Sequence, residues 1–369
     1  MDYFPLSLAT GKAFCNRRKE VQDLRYNFLE SRPTLIVSPR RYGKTSLAIH
    51  TLQQSKLNYL HCDFLAAVSE IDIEKIILKS VGQLIGQIES TPKKLLKTAT
   101  DLFAGLSIKL SLDQVGLSVE INKKATDVAA SILGILERVE KISEKYDKKI
   151  VLLFDEFQHL YEVTKNQSIE SVIRQIAQAS KKLSFVFSGS NRHLLYQIFD
   201  DRNRPFYKLC DRITLDRIQS EDYIPYLQHA SKEEWNHPLE LNIIEKIFEL
   251  TERHPYYMNL LCSRLWKLDK VTASVVQEVW QQYIYEERSQ VAMELDLLSN
   301  NQRKLLITLA RCNGTDVPRS HEFQILAGMA GATIAQALKF LEQKDYVYQD
   351  SYKHYRLLDP MFKAVLSDS

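Results

Sequence analysis

Residues 34–50 read TLIVSPRRYGKTSLAIH, and this stretch decides how the first half of the chain folds. A threonine and three apolar residues come first, followed by a loop from Ser38 to Thr45 and then a segment with the apolar spacing of a helix. A P-loop has small residues at its two ends, followed by a lysine and a hydroxyl residue. Ser38 takes the first small position, and Gly43, Lys44 and Thr45 complete the pattern. The sequence therefore predicts a strand, a phosphate-binding loop and the start of a helix.

The residue types in this loop have a chemical reason. Gly43 lets the backbone curl so that successive N–H groups point at phosphate oxygens. We expect Lys44 to reach the β- and γ-phosphates of a purine nucleoside triphosphate and the Thr45 hydroxyl to bind Mg²⁺. The alternative, a surface turn with an unrelated lysine, does not account for the strand before the loop or the helix after it. The predicted nucleotide-binding residues of this segment are Ser38, Pro39, Arg40, Arg41, Tyr42, Gly43, Lys44, Thr45 and Ser46.

Short apolar runs alternate with longer amphipathic segments from the P-loop to about residue 216. The runs lie at residues 34–38, 57–64, 149–156, 183–190 and 211–215. Runs that are short and almost continuously apolar are typical of strands buried on both faces of a parallel sheet, so we predict an α/β layer fold. Residues 105–121 instead alternate apolar and polar side chains around a turn at Asp113–Gly116, which predicts a β-hairpin outside the sheet.

Two carboxylates end the apolar run KIVLLFDE. Because a carboxylate at the end of a buried strand needs a cation or a ligand, we expect Asp155 to bind Mg²⁺ through water and Glu156 to act as general base. A strand ending in Asp-Glu also occurs by chance, but a P-loop upstream favours the functional interpretation. Glu156 and Lys44 are two catalytic candidates. The third is Ser188, near the end of the next run, for the γ-phosphate or the attacking water. The alternative at this strand end is a helix cap by Ser190 or Asn191.

Composition sets broad limits. The 369 residues are 45% hydrophobic and 26% charged, with a formal net charge of +3, which is too small to indicate nucleic-acid binding by itself. The five cysteines are scattered without the spacing of a zinc or redox site, so we expect free thiols. The N-terminus has no signal-peptide pattern and no run of 18 apolar residues occurs, so we expect a cytoplasmic protein without a membrane partner.

The second half of the chain has helical spacing. We predict three domains: a nucleotide-binding core at residues 1–216 that includes the hairpin, a helical segment at 217–292 and a C-terminal domain at 293–369. The C-terminal domain has a helix–turn–helix pattern, with Gly328 and Gly331 around the turn, followed by a two-stranded hairpin.

In order along the chain, these motifs resemble the AAA+ ATPases, specifically the STAND-related "archaeal ATPase" group (ATPase domain 2, MNS-like) in a bacterial-type variant. The resemblance rests on FCNRRKEVQDL (14–24), SPRRYGKTSL, LLFDEFQHL, FSGSNRHLL, NRPFYKLCDRITLDRI, TERHPYYMNLLC and HYRLLDPMFKAVL. It implies a P-loop core with a five-stranded parallel sheet, a helical lid and a C-terminal winged helix. Two positions depart from the family pattern: Ser38 replaces a glycine, and Arg253 stands where many members have glycine before His254-Pro255.

The resemblance also implies further site residues and partners. Arg17 of the N-terminal motif is placed at the adenine pocket, and His254 and Pro255 beside adenine or ribose, although Pro255 also suits the first turn of a helix for structural reasons alone. The cofactors implied are ATP or ADP with Mg²⁺. Homo-oligomers in which an arginine closes a neighbour's nucleotide site are also implied. The candidates for that arginine are Arg192, Arg202, Arg204 and Arg212.

The C-terminal domain leaves its partner open. On the second helix of the helix–turn–helix, Ile334, Leu338 and Leu341 form a predicted buried stripe, and Thr333, Gln336, Lys339 and Gln343 a predicted exposed face. A DNA-reading helix usually carries more Lys and Arg, so we favour a protein-interacting or autoinhibitory element. The sequence thus predicts an ATP-hydrolysing molecular switch with an unknown protein partner. The alternatives are an ATP-controlled DNA-binding regulator and a nucleotide-binding scaffold without turnover.

Overall fold

The structure is a computed structural model that describes residues 3–89, 91–102, 108–113, 116–121, 127–164, 166–350 and 353–367, with the side chains of 92, 95 and 101–126 left aside. Its strands are β1 (Thr34–Val37), β2 (Asn58–Asp63), β3 (Ile108–Asp113), β4 (Gly116–Ile121), β5 (Ile150–Asp155), β6 (Leu183–Gly189), β7 (Asp211–Thr214), β8 (Val347–Gln349) and β9 (Tyr355–Leu357). A short 3₁₀ helix at Gly11–Ala13 precedes the first α-helix.

The helices of the first half are α1 (Arg18–Leu29), α2 (Lys44–Ser55), α3 (Glu70–Ile88), α4 (Pro92–Leu102), α5 (Val128–Lys145), α6 (Gln158–Val163), α7 (Ser168–Ala179) and α8 (Arg192–Asp200). Those of the second half are α9 (Ser220–Trp235), α10 (Leu241–Thr251), α11 (Pro255–Leu265), α12 (Ala273–Asp296), α13 (Asn300–Arg311), α14 (His321–Ala327), α15 (Gly331–Gln343) and α16 (Pro360–Ser367).

The main sheet has five strands in the order β2-β5-β6-β1-β7, and every neighbouring pair is parallel. Each of its strands forms within one of the five predicted apolar runs, so the predicted α/β fold with a five-stranded parallel sheet is confirmed. The residues for which a hairpin was predicted form the antiparallel pair β3–β4, and residues 114 and 115 of its turn lie outside the described residues.

The chain divides into two compact units. The sheet unit contains residues 17–40 and 44–216, and the helical unit contains residues 1–16, 41–43 and 217–369. Each unit has its own hydrophobic core, one formed by the sheet with its helices and the other by α9–α16 with the N-terminal residues from Phe4 to Cys15. Three residues of the P-loop, Arg41–Gly43, belong to the helical unit, while the rest of the loop belongs to the sheet unit.

The C-terminal part of the helical unit consists of α13, α14 and α15, the antiparallel hairpin β8–β9 and then α16. Ile334, Leu338 and Leu341 of α15 are buried, as predicted. Gly328 has a φ of +60° and ends α14, which explains a glycine at this turn.

No single helix among the described residues is both long and apolar enough to span a membrane; one bent pair, α14 with α15, passes that test on length and composition together. All five cysteines are free.

Candidate functional site

Polar side chains gather where the central strands end. The loop that starts at Ser38 follows β1, Asp155 ends β5, and Ser188 is the penultimate residue of β6. In β5 and β6 the side chains of Phe154, Phe185 and Phe187 enter the apolar core of the sheet unit. Because strand side chains alternate between the two faces, Asp155 and Ser188 lie on the opposite face. Strand periodicity therefore brings these two residues to one side of the sheet.

The first turn of the P-loop is closed by its own lysine. Lys44 Nζ donates to the backbone oxygens of Ser38 at 3.2 Å and Pro39 at 3.0 Å, and lies 3.4 Å from Ser38 Oγ. The Ser38 hydroxyl in turn donates to Pro39 O at 3.0 Å. Ser38 and Lys44 are both buried. The serine that departs from the family pattern thus contributes an acceptor to the lysine that the pattern requires.

The interior of the loop adopts an unusual backbone conformation. Arg41 has a φ of +63° and Gly43 a φ of +86°, so both occupy the left-handed region. For Gly43 this region carries no side-chain penalty, which is the physical reason for glycine at this position. Arg40 extends to the end of β6, where its Nε lies 3.4 Å from Ser190 Oγ. Thr45 and Ser46 follow in the first turn of α2 and are half-buried.

Asp155 is surrounded by hydrogen-bond donors. The hydroxyl of Thr45 donates to its Oδ2 at 2.5 Å, and that of Ser188 to its Oδ1 at 2.5 Å. The N–H of Glu156 also donates to Oδ1, at 3.0 Å. Burial raises the pKa of Asp155, but the polar neighbours His61, Ser188 and Thr45 lower it to about 2. Asp155 is therefore a carboxylate at neutral pH, in contact with the hydroxyl predicted to bind Mg²⁺.

Glu156 turns away from the strand. Its φ of +50° is left-handed, and its Oε2 accepts from Gln158 Nε2 at 2.5 Å, from the Ser190 hydroxyl at 2.8 Å and from the Ser190 N–H at 3.1 Å. Gly189 makes this arrangement possible, because a Cβ at that position would lie 2.0 Å from Gln158 Oε1. Glu156 and Ser190 thus form a hydrogen-bonded pair, and Asn191, rather than Ser190, caps α8 through the N–H of Leu194.

The residues that the resemblance implied lie in both units. Arg17, in the sheet unit, is buried with a φ of +59°, and its Nη2 donates to Asp216 O at 2.7 Å. His254 occupies the N-cap position of α11 without a capping hydrogen bond from its side chain, and Pro255 is the first residue of that helix; both lie in the helical unit. The His254 ring packs edge-on against the ring of Tyr42, with centroids 4.7 Å apart. His254 is therefore beside a P-loop residue of its own unit.

The four candidate arginines differ in their surroundings. Arg204 donates to the buried carboxylate of Glu170 at 2.6 Å, and Arg212 pairs with Asp200 at 2.5 Å. Arg202 lines an open cavity of about 630 Å³ between α7 and the segment after α8. Arg192 begins α8. Arg204 therefore has the more buried of these two ion pairs, because its partner Glu170 is 1% exposed, whereas Asp200 is 49% exposed.

Two polar residues beside these groups were not predicted from the sequence. His61 of β2 lies with its Nε2 3.8 Å from Asp155 Oδ2, and Gln158 donates to Glu156. The alternation in LNYLHCDF, which puts His61 on the face opposite Cys62, is the signal that could have identified His61. Groups of three or more His, Cys, Asp or Glu side chains that could hold a metal are absent from the described residues. Thr45 Oγ1 and Asp155 Oδ2, 2.5 Å apart, are oxygen atoms at this site that could bind a cation.

Solved structures with the same fold include ATPases. A Walker-type ATPase of Pyrococcus abyssi is 17% identical, with a TM-score of 0.70 and 99% of each chain covered. The ORC2 protein of Aeropyrum pernix, solved in ADPNP–ADP complexes, is 14% identical, with a TM-score of 0.58 over 95% of this chain and 93% of that one. The ORC1 protein of the same organism in complex with DNA is 12% identical, with a TM-score of 0.50 over 97% and 94% of the two chains.

A search of the curated proteins finds no match. The family model described as "ATPase domain predominantly from Archaea" matches residues 14–261, which is more than half of the chain. The matched range includes the P-loop, the end of β5 and the His254-Pro255 pair. The chain therefore belongs to this family of ATPase domains, and it is an ATP-hydrolysing enzyme.

Proposed function

We propose that the chain is a Mg²⁺-dependent ATPase that works as a molecular switch of the AAA+/STAND type. In this proposal residues 1–216 are the nucleotide-binding core, residues 217–292 are a lid and residues 293–369 form a winged-helix domain. ATP binding rearranges the lid and the winged helix, and hydrolysis to ADP resets them. The observation that carries the proposal is that two P-loop side chains, Arg41 and Tyr42, contact residues of the segment 217–292, and that Arg41 also faces Asp359 of the C-terminal segment.

The chemistry is assigned to the residues at the strand ends. Lys44 binds the β- and γ-phosphates, supported by loop N–H groups from Ser38 to Ser46. Thr45 holds Mg²⁺ directly and Asp155 holds it through water; bound Mg²⁺ would neutralise charge on the phosphate oxygens. Glu156 accepts a proton from the attacking water. Ser188, buried against Asp155, supports catalysis by orienting that carboxylate.

Tyr42 connects the P-loop to a partly buried ion-pair network. Its hydroxyl lies 3.4 Å from Nε of Arg217, which donates through Nη1 to Glu252 Oε2 at 2.5 Å. Arg217 Nη2 also donates to Leu358 O at 3.1 Å, and Glu252 accepts a second salt bridge from Lys363 of α16. The Arg217 guanidinium therefore contacts the P-loop tyrosine, Glu252 of the proposed lid and the backbone just before α16. The Glu252–Lys363 salt bridge adds a contact to α16 itself.

Arg41 supplies a second connection. Its guanidinium lies over the ring of Tyr256, 4.3 Å from the centroid, and it faces the half-buried carboxyl of Asp359. Asp359 accepts from the Tyr257 hydroxyl at 2.6 Å and from the N–H groups of Met361 and Phe362 at the start of α16. Burial raises the pKa of Asp359, and these donors and Arg41 oppose that rise. A phosphate bound at the loop would compete for Arg41, which supports a link between nucleotide state and α16.

A protein partner suits the winged helix better than DNA does. Val317, Ile325 and Leu326 are each more than half exposed, while Arg356, one of the few cations available for DNA phosphates, pairs with Asp350 at 3.4 Å. The partner is not identified. Assembly of several copies through the nucleotide site, with Arg202 or Arg192 reaching a neighbour, is part of the proposal.

ATP-controlled DNA binding is the second candidate, favoured by the helix–turn–helix order of α14 and α15 and by the DNA complex of the ORC1 protein. Contacts to DNA phosphates would have to come from Lys339, Lys344, Lys353 and Arg356. Four such cations limit the slope of log affinity against log salt to about −3 to −4. Fluorescence anisotropy with random duplexes decides between the candidates: one enriched sequence bound at nanomolar strength would replace the first candidate with the second.

The test of the proposed chemistry is phosphate release from ATP by the purified chain, with Mg²⁺ and with excess chelator. We expect Mg²⁺-dependent turnover that Lys44→Ala abolishes, because charge-assisted contacts to phosphate are lost. Lys75→Ala, which changes an exposed lysine on α3 (59% exposed), is the matched control and should retain turnover. ATP binding without turnover in the wild type would support the scaffold alternative instead.

A further inference from the structure

His61 lies on the same sheet face as the proposed Mg²⁺ ligand. Strands β2 and β5 are parallel neighbours, with His61 opposite Leu153 and Asp63 opposite Asp155. The flanking residues Leu60 and Cys62 enter the apolar core of the sheet unit. Alternation therefore places His61 on the sheet face that carries Asp155. His61 lies two residues before Asp63, the residue of β2 that is opposite Asp155.

The His61 imidazole has a nitrogen without a hydrogen-bond partner close to the Asp155 carboxylate. Its Nε2 is buried, has no hydrogen-bond partner and lies 3.8 Å from Asp155 Oδ2. Buried polar atoms in native structures nearly always have a partner, so an unpaired nitrogen that faces a carboxylate calls for an explanation. A shift of under about 1 Å would bring the two atoms within hydrogen-bonding distance.

The Asp155 carboxylate has an asymmetric set of donors. Oδ1 accepts from Ser188 and from the N–H of Glu156, whereas Oδ2 accepts from Thr45. In the proposed function the Thr45 oxygen binds Mg²⁺, and Asp155 accepts from a water on that ion. The Asp155 carboxylate must then keep its orientation about the Cβ–Cγ bond even though the Thr45 oxygen is also bound to Mg²⁺. A donor on the Oδ2 side, opposite Ser188 and Glu156, would hold the carboxylate.

We propose that His61 is a positioning residue for Asp155. Its Nε2–H donates to Oδ2, fixes the rotation of the carboxylate and so sets the affinity of the site for Mg²⁺ in the presence of ATP. Outer-shell partners of metal ligands typically change metal affinity by about 10–100-fold when they are removed. The inference rests on the proposed function, because it assumes that Asp155 holds Mg²⁺ through water.

The test measures binding of a fluorescent, non-hydrolysable ATP analogue while Mg²⁺ is titrated, so that no turnover is needed. The variants are His61→Ala and His61→Gln, since the glutamine amide can place an N–H near the position of Nε2. The control is His159→Ala, which removes another histidine close to the same strand end, one that pairs with Glu162 at 2.8 Å.

We expect His61→Ala to need about 10–100-fold more Mg²⁺ for the same gain in analogue affinity, with affinity in chelator unchanged. His61→Gln should recover most of the loss, and His159→Ala should match the wild type. A wild-type Mg²⁺ midpoint in His61→Ala would overturn this inference alone, and so would an equal loss of affinity in chelator, which indicates a structural role. A wild type that binds the analogue without any Mg²⁺ effect would overturn the proposed function as well.

Discussion

The carboxylate of Glu156 receives three hydrogen bonds, from Gln158 and from the side chain and backbone of Ser190. Its left-handed backbone directs it toward the end of β6. Because Ser190 is also within reach of Arg40, the proposed base is linked by hydrogen bonds to the interior of the P-loop. Binding of phosphate at the loop is therefore expected to change the donors around the base before it acts.

Replacement of Glu156 separates binding from chemistry. Glu156→Gln retains size and hydrogen bonding but lacks the basic carboxylate, so we expect ATP affinity to stay near wild type while turnover falls about 10²-fold or more. Calorimetry and single-turnover hydrolysis measure the two quantities. Glu162→Gln, at a side chain that is 45% exposed on α6, is the control and should hydrolyse normally. Wild-type turnover in Glu156→Gln would place the base elsewhere.

His254 predicts a pH dependence of stability. Burial, together with the nearby charges of Arg217 and Arg41, lowers its pKa to about 3. The unfolded chain takes up a proton near pH 6.5, whereas the folded chain does not until about pH 3, so the contribution of His254 to stability is complete above pH 6.5 and is lost as pH falls toward 3. The expected slope is up to about 1.4 kcal/mol per pH unit.

The measurement is the urea unfolding free energy of wild type and His254→Gln between pH 7.5 and pH 5, and the difference between them isolates this one group. We expect the wild type to lose more stability than the variant over this range. Parallel curves would mean that His254 titrates normally in the folded chain.

Lys44, Thr45 and Asp155 could be singled out from the sequence because phosphate and Mg²⁺ demand those groups at that spacing. The structure brings Thr45 and Asp155 into contact, and the roles of the three residues stay predictions. Gln158 could not be singled out, because its role depends on the left-handed turn of Glu156 and on the absence of a Cβ at Gly189. The glycine expected at position 253 has a physical reason too: Glu252 and Arg253 have φ values of +47° and +56°, a region that favours glycine.

At the scale of elements, the contacts that matter most join segments far apart in sequence. Arg217, just before α9, connects Tyr42 of the P-loop, Glu252 at the end of α10 and Leu358 before α16. Burial opposes its charge, but the facing Tyr42 and Glu252 raise its pKa, so it remains a cation. The sequence predicted the strands and helices themselves from their periodicity. It offered no signal for this cluster, because a charged residue between elements usually lies at the surface.

Removal of Arg217 tests the importance of the cluster. Arg217→Met leaves the partly buried Glu252 carboxylate, which is 17% exposed, with Lys363 as its remaining ion-pair partner. We expect a loss of up to about 3–5 kcal/mol in unfolding free energy, the usual range for a buried pair that loses one partner. Arg212→Met removes an arginine whose pair with Asp200 is partly exposed (39% and 49%), and should lose under about 1 kcal/mol. Equal losses of unfolding free energy for the two variants in urea denaturation would show that the Arg217 cluster stabilises the fold no more than a partly exposed ion pair does.

At the scale of the whole molecule, P-loop side chains are proposed to couple ATP binding to the C-terminal segment. The five-stranded parallel sheet was predictable, because buried strands leave a strong apolar signal. The grouping of Arg41–Gly43 with the helical unit was not, since it depends on contacts with residues more than 170 positions away. In the proposed function, those contacts let the nucleotide state change the C-terminal segment, which an ATPase without a switch function would not need.

Hydrogen–deuterium exchange tests the switch most directly. The exchange of β8, β9 and α16 is compared with Mg²⁺-ADP and with Mg²⁺ plus a non-hydrolysable ATP analogue, both saturating, with Lys44→Ala as the control that should not respond. We expect faster exchange in these elements with the ATP analogue, because the γ-phosphate draws Arg41 away from Tyr256 and Asp359. Identical exchange in the two states, with binding of both nucleotides verified, would show that nucleotide state does not reach these elements.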